Sequence, residues 1–192
     1  NKIFNDFLPP PNIDVTLCNT VDYAAIEAEI GKGCTILYLE TPTNPTIKIM
    51  DIKRLAAVAK KFGALVVVEN TFATPINQNP WALGADIVLH SASKYLGGHA
   101  DALGGVICGS KALVKQVYHY REINGATLSP MDAYSFIRGM KTLKLRVERQ
   151  NDNAMTMARW LEKHPMIEQV NYPGLESHAN HDVAKTQMRG YG

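Results

Sequence analysis

Cysteine is scarce in this chain: Cys18, Cys34 and Cys108 are far apart and odd in number. No paired spacing joins them, which argues against a disulfide framework and against a zinc site, and fits a reducing cytosol. Long apolar runs are missing too, since none approaches the roughly 20 residues needed to cross a bilayer. Neither sign of charge dominates, with 20 basic against 18 acidic residues and a net charge of +2. The basic residues are scattered, so composition gives no support to a nucleic-acid or anionic-membrane partner. Internal repeats and low-complexity tracts are also lacking. The start, Asn1-Lys2-Ile3-Phe4, has neither an initiator methionine nor a signal-peptide pattern, and the chain stops at the turn-like Gly190-Tyr191-Gly192. The expectation from both ends is a piece of a longer protein.

What is present is ordinary for a soluble globular protein: 192 residues, 46% hydrophobic and 20% charged. That length suffices for one domain and part of another. A proline-rich connector, Phe7–Pro11, opens the chain. Val21–Ile30 reads as a helix with Ile26 and Ile30 on one side. Thr35–Leu39 is a continuous apolar run of strand length, the kind buried on both faces of a parallel sheet. Two prolines make Thr41–Pro45 a loop. Asp51 is then placed to cap a helix whose apolar stripe is Ile52, Leu55, Ala56, Ala59 and Phe62, with Gly63 as its stop. Further strands are predicted at Ala64–Val68, Asp86–Leu89 and Leu103–Cys108, the last loosened by Gly104 and Gly105. Strand, helix, strand in this order predicts a parallel sheet. Beyond Pro130 the pattern turns helical, with helices at Ala133–Gly139 and Thr142–Lys163. Met166–Asn171 reads as a strand beginning another domain, which puts a boundary near residue 146.

The polar residues fall at informative places. Each of the first three strands runs into them at its C-terminal end: Glu40 and Asn44 after the first, Glu69, Asn70 and Thr71 after the second, His90, Ser91, Ser93 and Lys94 after the third. Ligands of open α/β sheets bind outside the carboxyl ends of the strands. If these strands are parallel neighbours, a carboxylate, an amide, two hydroxyls and an amine converge on one volume. That set meets the needs of pyridoxal 5'-phosphate (PLP), which wants an imine lysine, an acid at its pyridinium nitrogen, and donors for its phosphate and phenolate. Lys94 would be the imine lysine, and it must be partly desolvated to react as a free amine. Glu69 would pair with the ring nitrogen, Ser91 and Ser93 would grip the phosphate, and Asn44 would donate to the phenolate oxygen.

The run Ser91-Ala92-Ser93-Lys94-Tyr95-Leu96-Gly97-Gly98-His99 resembles the lysine motif of the Cys/Met-metabolism PLP-dependent enzymes. Glu40-Thr41-Pro42-Thr43-Asn44-Pro45, Asn70-Thr71-Phe72-Ala73-Thr74-Pro75 and Leu83-Gly84-Ala85-Asp86 look like that family's other signatures, in order. Ser129-Pro130, Arg138–Leu143 and Tyr172–Leu175 continue the match, so the resemblance covers nearly the whole chain. It departs at one chemical position: the family's usual aspartate is Glu69 here, which keeps the charge and adds a methylene. Ser93, often threonine in relatives, retains the hydroxyl.

The resemblance implies an α/β fold: the large domain of the aspartate-aminotransferase-like fold (fold type I), with a parallel-rich sheet. Residues 1–145 would belong to this PLP-binding catalytic domain, and 146–192 would begin a small C-terminal α/β domain. It implies a cytoplasmic homotetramer, a dimer of dimers, acting on a small amino acid. Family members are about twice this length. Their ring-stacking tyrosine, phosphate loop and neighbour-subunit Tyr and Arg would precede Asn1, and the arginine for the substrate carboxylate would follow Gly192. Alone, then, the chain is expected to bind PLP poorly and not to turn over. The implied chemistry is γ-elimination from a sulfur-containing amino acid, as in methionine or cystathionine γ-lyase; Gly125–Pro130 looks closer to the methionine γ-lyase type. The alternative is γ-replacement on an acyl-homoserine, as in cystathionine γ-synthase or O-acetylhomoserine sulfhydrylase.

Plainer readings stand beside these. Lys94 can be a surface lysine in a serine-rich loop, Glu69 half of a structural ion pair, and Asn44 a brace for its proline turn. His99 with Asp101 is too sparse for a metal site, His90 is more often structural than catalytic, and the double glycines lack Walker spacing. A non-catalytic nucleotide-binding or interaction domain on a parallel sheet is the competing class; it predicts no Lys94 imine.

Overall fold

Strands β1 (Ile36–Glu40), β2 (Leu65–Glu69), β3 (Ile87–Ser91) and β4 (Gly105–Gly109) lie side by side in chain order in the computed structural model, which describes residues 3–8 and 13–192. The first three are parallel and in register, with Glu40 opposite Glu69 and Glu69 opposite Leu89. β4 runs antiparallel to β3, so the sheet is mixed and mostly parallel. Parallel neighbours require a crossover, and α2 (Ile52–Lys61) supplies the one between β1 and β2.

Alternation along the strands splits the sheet into two unlike faces. Leu39, Val66, Val68 and Val88 point to one side and pack with Ile26 and Ile30 of α1 (Tyr23–Gly31) and with Ile52, Leu55, Ala56 and Ala59 of α2. Both helices start where capping demands: the Asp22 carboxylate accepts from Ala25 N–H, and that of Asp51 from Arg54 N–H. Phe62 departs from its expected stripe. It sits at the C-cap of α2, where the helical period has ended, and is more than half exposed beside Gly31. On the opposite face of the sheet Ile36 is 55% exposed and Tyr38 38%, with the Phe4 ring 5.1 Å from Tyr38.

A second apolar cluster seats the segment that follows β3. Ala92, Leu96 and Ala102 pack against Phe136 of α5 (Pro130–Met140) and against Leu143 and Val147 of α6 (Leu143–Leu161). α6 runs unbroken through residue 146. Between β2 and β3 lie the single turn α3 (Thr74–Asn77) and the 3-10 turn Pro80–Leu83. α4 (Lys111–Asn124) follows β4 and buries none of its residues, ending at Gly125 in the left-handed region (φ 67°). A third cluster ties Ile49 and Ala73 to Ala184 and Met188, at and just beyond α7 (His181–Gln187).

No strand forms at Met166–Asn171, where the chain is irregular. A strand exists only against a partner, and among the described residues none lies beside this segment. The connector expected at Phe7–Pro11 falls largely on residues outside the described ones. No described helix is long and apolar enough to cross a membrane.

Candidate functional site

The parallel register brings the ends of β1 and β2 together, so the carboxylates of Glu40 and Glu69 stand side by side on the same face. Glu69 is half-buried, and among the described residues no cation lies within ion-pairing distance of it. Its partner is Thr71. The Thr71 backbone N–H donates to both carboxylate oxygens at 3.2 Å, and its hydroxyl donates to Oε1. That hydroxyl in turn accepts from the Ser91 N–H at 2.6 Å. One threonine therefore joins the ends of β2 and β3. Burial pushes the Glu69 carboxyl above the ordinary carboxylate range and nearby Glu40 adds to it, while the Thr71 and Ser91 donors oppose the shift. On the same face the Tyr38 phenol is pushed up to about 12, first by burial and then by Glu69 and Glu40.

Glu40 has its own task in the turn, accepting from the Asn44 N–H at 3.1 Å. The Asn44 backbone thus braces the loop. Its side-chain amide is exposed and makes no hydrogen bond among the described residues. Of the two readings of Asn44, the turn uses the main chain and leaves the amide to other uses.

Asn70 does not join this group. One position along from Glu69, it points the opposite way and is fully buried, donating to the Thr74 and Gln78 carbonyls and accepting from Gln78 Nε2. Gln78 continues to Thr41 O, and Gln187 donates to both Gln78 and Met50. This network ties the loops behind the strand ends together. His90, also buried, lies on the covered face, where burial lowers its pKa.

The two serines differ. The Ser91 hydroxyl has no partner among the described residues. The Ser93 hydroxyl is occupied: it accepts from Gly104 N–H at 2.9 Å, and its proton has only a long contact of 3.4 Å to Gly104 O. Ser93 thus closes the neck of the loop between antiparallel strands β3 and β4, a task beside the phosphate contact expected of it. Ala92 N–H and Ser93 N–H also donate to the Gly104 carbonyl.

Lys94 sits in a tight turn whose ends are backbone bonds, its N–H to Ser91 O and its carbonyl from Gly98 N–H at 2.7 Å. It is exposed, and here the structure departs from the expected desolvated amine. The turn lies beyond the C-terminal end of β3, with α5 packed against it at Gly97. No ion pair joins it to Glu69 among the described residues. The register and Thr71 thus bring Glu40, Glu69 and Ser91 together, with Asn44 and Lys94 on the loops that leave the same edge. A cleft of about 470 Å³ elsewhere, lined by Lys48, Glu162, Glu168 and His178 among others, includes none of the five candidate residues. Thr71 is the functional residue the site-residue reading passed over. Its place two residues beyond Glu69, within reach of its own strand's terminal carboxylate, was the available signal.

A donor set of this kind suits a flat heteroaromatic phosphate, and proteins of similar sequence are enzymes of cystathionine by name. The chain is 48% identical to cystathionine gamma-synthase 1, chloroplastic, of Arabidopsis thaliana, an alignment covering 100% of this chain and 34% of that protein. It is 45% identical to cystathionine gamma-lyase of Bacillus subtilis, covering 100% of this chain and 51% of the relative. The crystal structure of cystathionine gamma-lyase from Lactobacillus plantarum, complexed with L-serine, superposes with a TM-score of 0.95 at 39% identity, over 100% of this chain and 50% of that one. The chain therefore spans about a third to a half of the length of these relatives. With residues 1–192 matching the family described as "Cys/Met metabolism PLP-dependent enzyme", the chain belongs to that family.

Proposed function

We propose that the protein to which this chain belongs carries out PLP-dependent γ-elimination on a sulfur-containing amino acid, as a methionine or cystathionine γ-lyase does. The observation that carries this reading is the Glu69–Thr71–Ser91 linkage at adjoining strand ends, which joins a half-buried carboxylate, without a cation among the described residues, to the start of the serine loop that bears Lys94. A carboxyl with a raised pKa and no counter-ion fits a partner that carries its own proton, as a pyridinium nitrogen does.

In this reading Lys94 holds the cofactor covalently through its amine, Glu69 faces the ring nitrogen and keeps it protonated, and Asn44 donates its unused amide to the phenolate oxygen. Ser91 offers its unpartnered hydroxyl to the phosphate. Ser93 contributes by turning its weakly held proton outward while still accepting from Gly104. The bound cofactor supplies the electron sink that makes the substrate Cα and Cβ protons acidic. Lys94, once released as a free amine, takes the Cα proton. General acid–base steps of this sort contribute about 10²–10⁴-fold each. Lys94 is exposed in this chain, and the desolvation that its role requires belongs to the same proposal for the whole protein.

Residues 1–145 are proposed as catalytic and 146–192 as the start of a second domain, with continuous α6 as the bridge. A homotetramer and a cytoplasmic setting belong to the same proposal. The free cysteines suit a reducing compartment, and the Arabidopsis relative is chloroplastic by name.

In the full-length protein Lys94→Ala is expected to abolish the imine absorption band and turnover; a band that persists would refute the assignment. A second reading, γ-replacement on an acyl-homoserine, is favoured by the synthase relative at 48% identity. Product analysis separates the two, because a lyase releases ammonia and a keto acid without added thiol, whereas a synthase needs the thiol for its main product.

A further inference from the structure

The turn that carries Lys94 is seated by one side chain from far along the chain. Arg146, on the first full turn of α6, reaches back across 51 positions and donates from Nη2 to the Tyr95 carbonyl at 3.0 Å. The same nitrogen donates to the Gly139 carbonyl at 3.0 Å, and Nε donates to Thr142 Oγ1 at 3.1 Å. The guanidinium thus bridges the Tyr95–Leu96 peptide, one residue on from Lys94, and the elbow where α5 gives way to α6. Two glycines make room for it. Gly98 lies in the left-handed region (φ 75°), and a Cβ there would overlap the Arg146 guanidinium. Gly139 lets α5 approach the turn directly, since a Cβ at this position would overlap the Gly97 carbonyl oxygen. A rigid fork with fixed donor directions suits such a bridge better than a lysine ammonium does.

We propose that Arg146 is a positioning residue for Lys94. By pinning the Tyr95 carbonyl to the α5–α6 elbow, it fixes the direction in which the Lys94 side chain leaves its turn and so aims the amine at the aldehyde carbon of PLP. The step it assists is balanced: the Lys94 amine adds to the aldehyde, and the imine forms with loss of one water. This inference rests on the assignment of Lys94 above.

The test uses the full-length apoprotein mixed with PLP. It reads the rate at which the imine band appears, the circular dichroism of the bound chromophore (which reports its angle to the protein), and the thermal midpoint. Arg146→Met removes both carbonyl contacts and is expected to slow imine formation about tenfold, the scale of one charge-assisted hydrogen bond, and to change the dichroism. Arg146→Lys keeps the charge and can serve one carbonyl; it is expected to fall between, and it carries the test if Arg146→Met does not fold. Wild-type imine rate and dichroism in the variants, with a lowered thermal midpoint, would overturn the proposal and leave Arg146 a structural clasp. If borohydride reduction traps no adduct on Lys94 in the unsubstituted protein, the cofactor assignment falls first and this inference with it.

Discussion

At the scale of single residues, the chemistry of the site is set by what Glu69 lacks. Burial first and the neighbouring Glu40 second push its carboxyl above the ordinary range, and among the described residues no cation offsets them. The folded state therefore binds the Glu69 proton more tightly than the unfolded chain does. The stability this contributes is fully present below the unfolded carboxylate pKa and is lost as pH rises through the higher folded value. In the chain without cofactor, Glu69→Gln should flatten the stability curve across that window and raise the thermal midpoint at neutral pH. A midpoint that drops at pH 7 would contradict this. Thr71→Val acts in the opposite sense, leaving the Ser91 N–H without its acceptor and the carboxylate with the main-chain donor of residue 71 alone. It should cost about 1–3 kcal/mol in chemical denaturation and push the Glu69 pKa further up. Glu69, Ser91 and Lys94 were readable in the sequence because strand ends are where an α/β sheet puts its chemistry. That the Ser93 hydroxyl pairs with Gly104 was not, since the pairing depends on how the loop from Ser91 to Gly105 closes between antiparallel strands.

At the scale of elements, patterns that close within one turn of chain were legible and those that depend on distant partners were not. Ile26, Ile30 and the Asp51 cap behave as their local spacing dictates. Met166–Asn171 has a strand's composition and no strand beside it, so its propensity goes unused. α4 escaped sequence reading because it buries none of its residues and so leaves no clear apolar stripe. The tightest junction between elements is that of α5 with the lysine turn, where Gly139 meets the Gly97 carbonyl backbone to backbone. Gly139→Ala has no flexible side chain to push aside. It should destabilise the fold by about 1–3 kcal/mol, the usual scale of overpacking, read as a shift of the denaturation midpoint at unchanged slope. An unshifted midpoint would show that the two elements can separate freely.

At the scale of the whole molecule, one face of the sheet is sealed by α1 and α2 while the other leaves Ile36 and Tyr38 open, and Tyr120, Ile123, Met131, Tyr134 and Ile137 of α4 and α5 are exposed as well. Apolar surface on this scale is unusual for a stable monomer. The 192-residue chain on its own should bind an apolar dye strongly and self-associate as its concentration rises. A monomer in sedimentation at high concentration, without dye binding, would contradict this. The fold family was legible from ordered motifs, and the parallel order of the first three strands from strand–helix–strand succession. How the open face is covered has no signature in the residues present.

The alignment of β1 with β2 also acts as a ruler. Side chains alternate across a pleated strand, so a single residue deleted from Leu65–Val68 would turn Glu69 toward the helices and swing Asn70 into its place. A whole-turn change in a neighbouring helix would be absorbed by the loops. The chemistry at this edge therefore tolerates variation in connector length far better than it tolerates a slip of one peptide unit in the ladder.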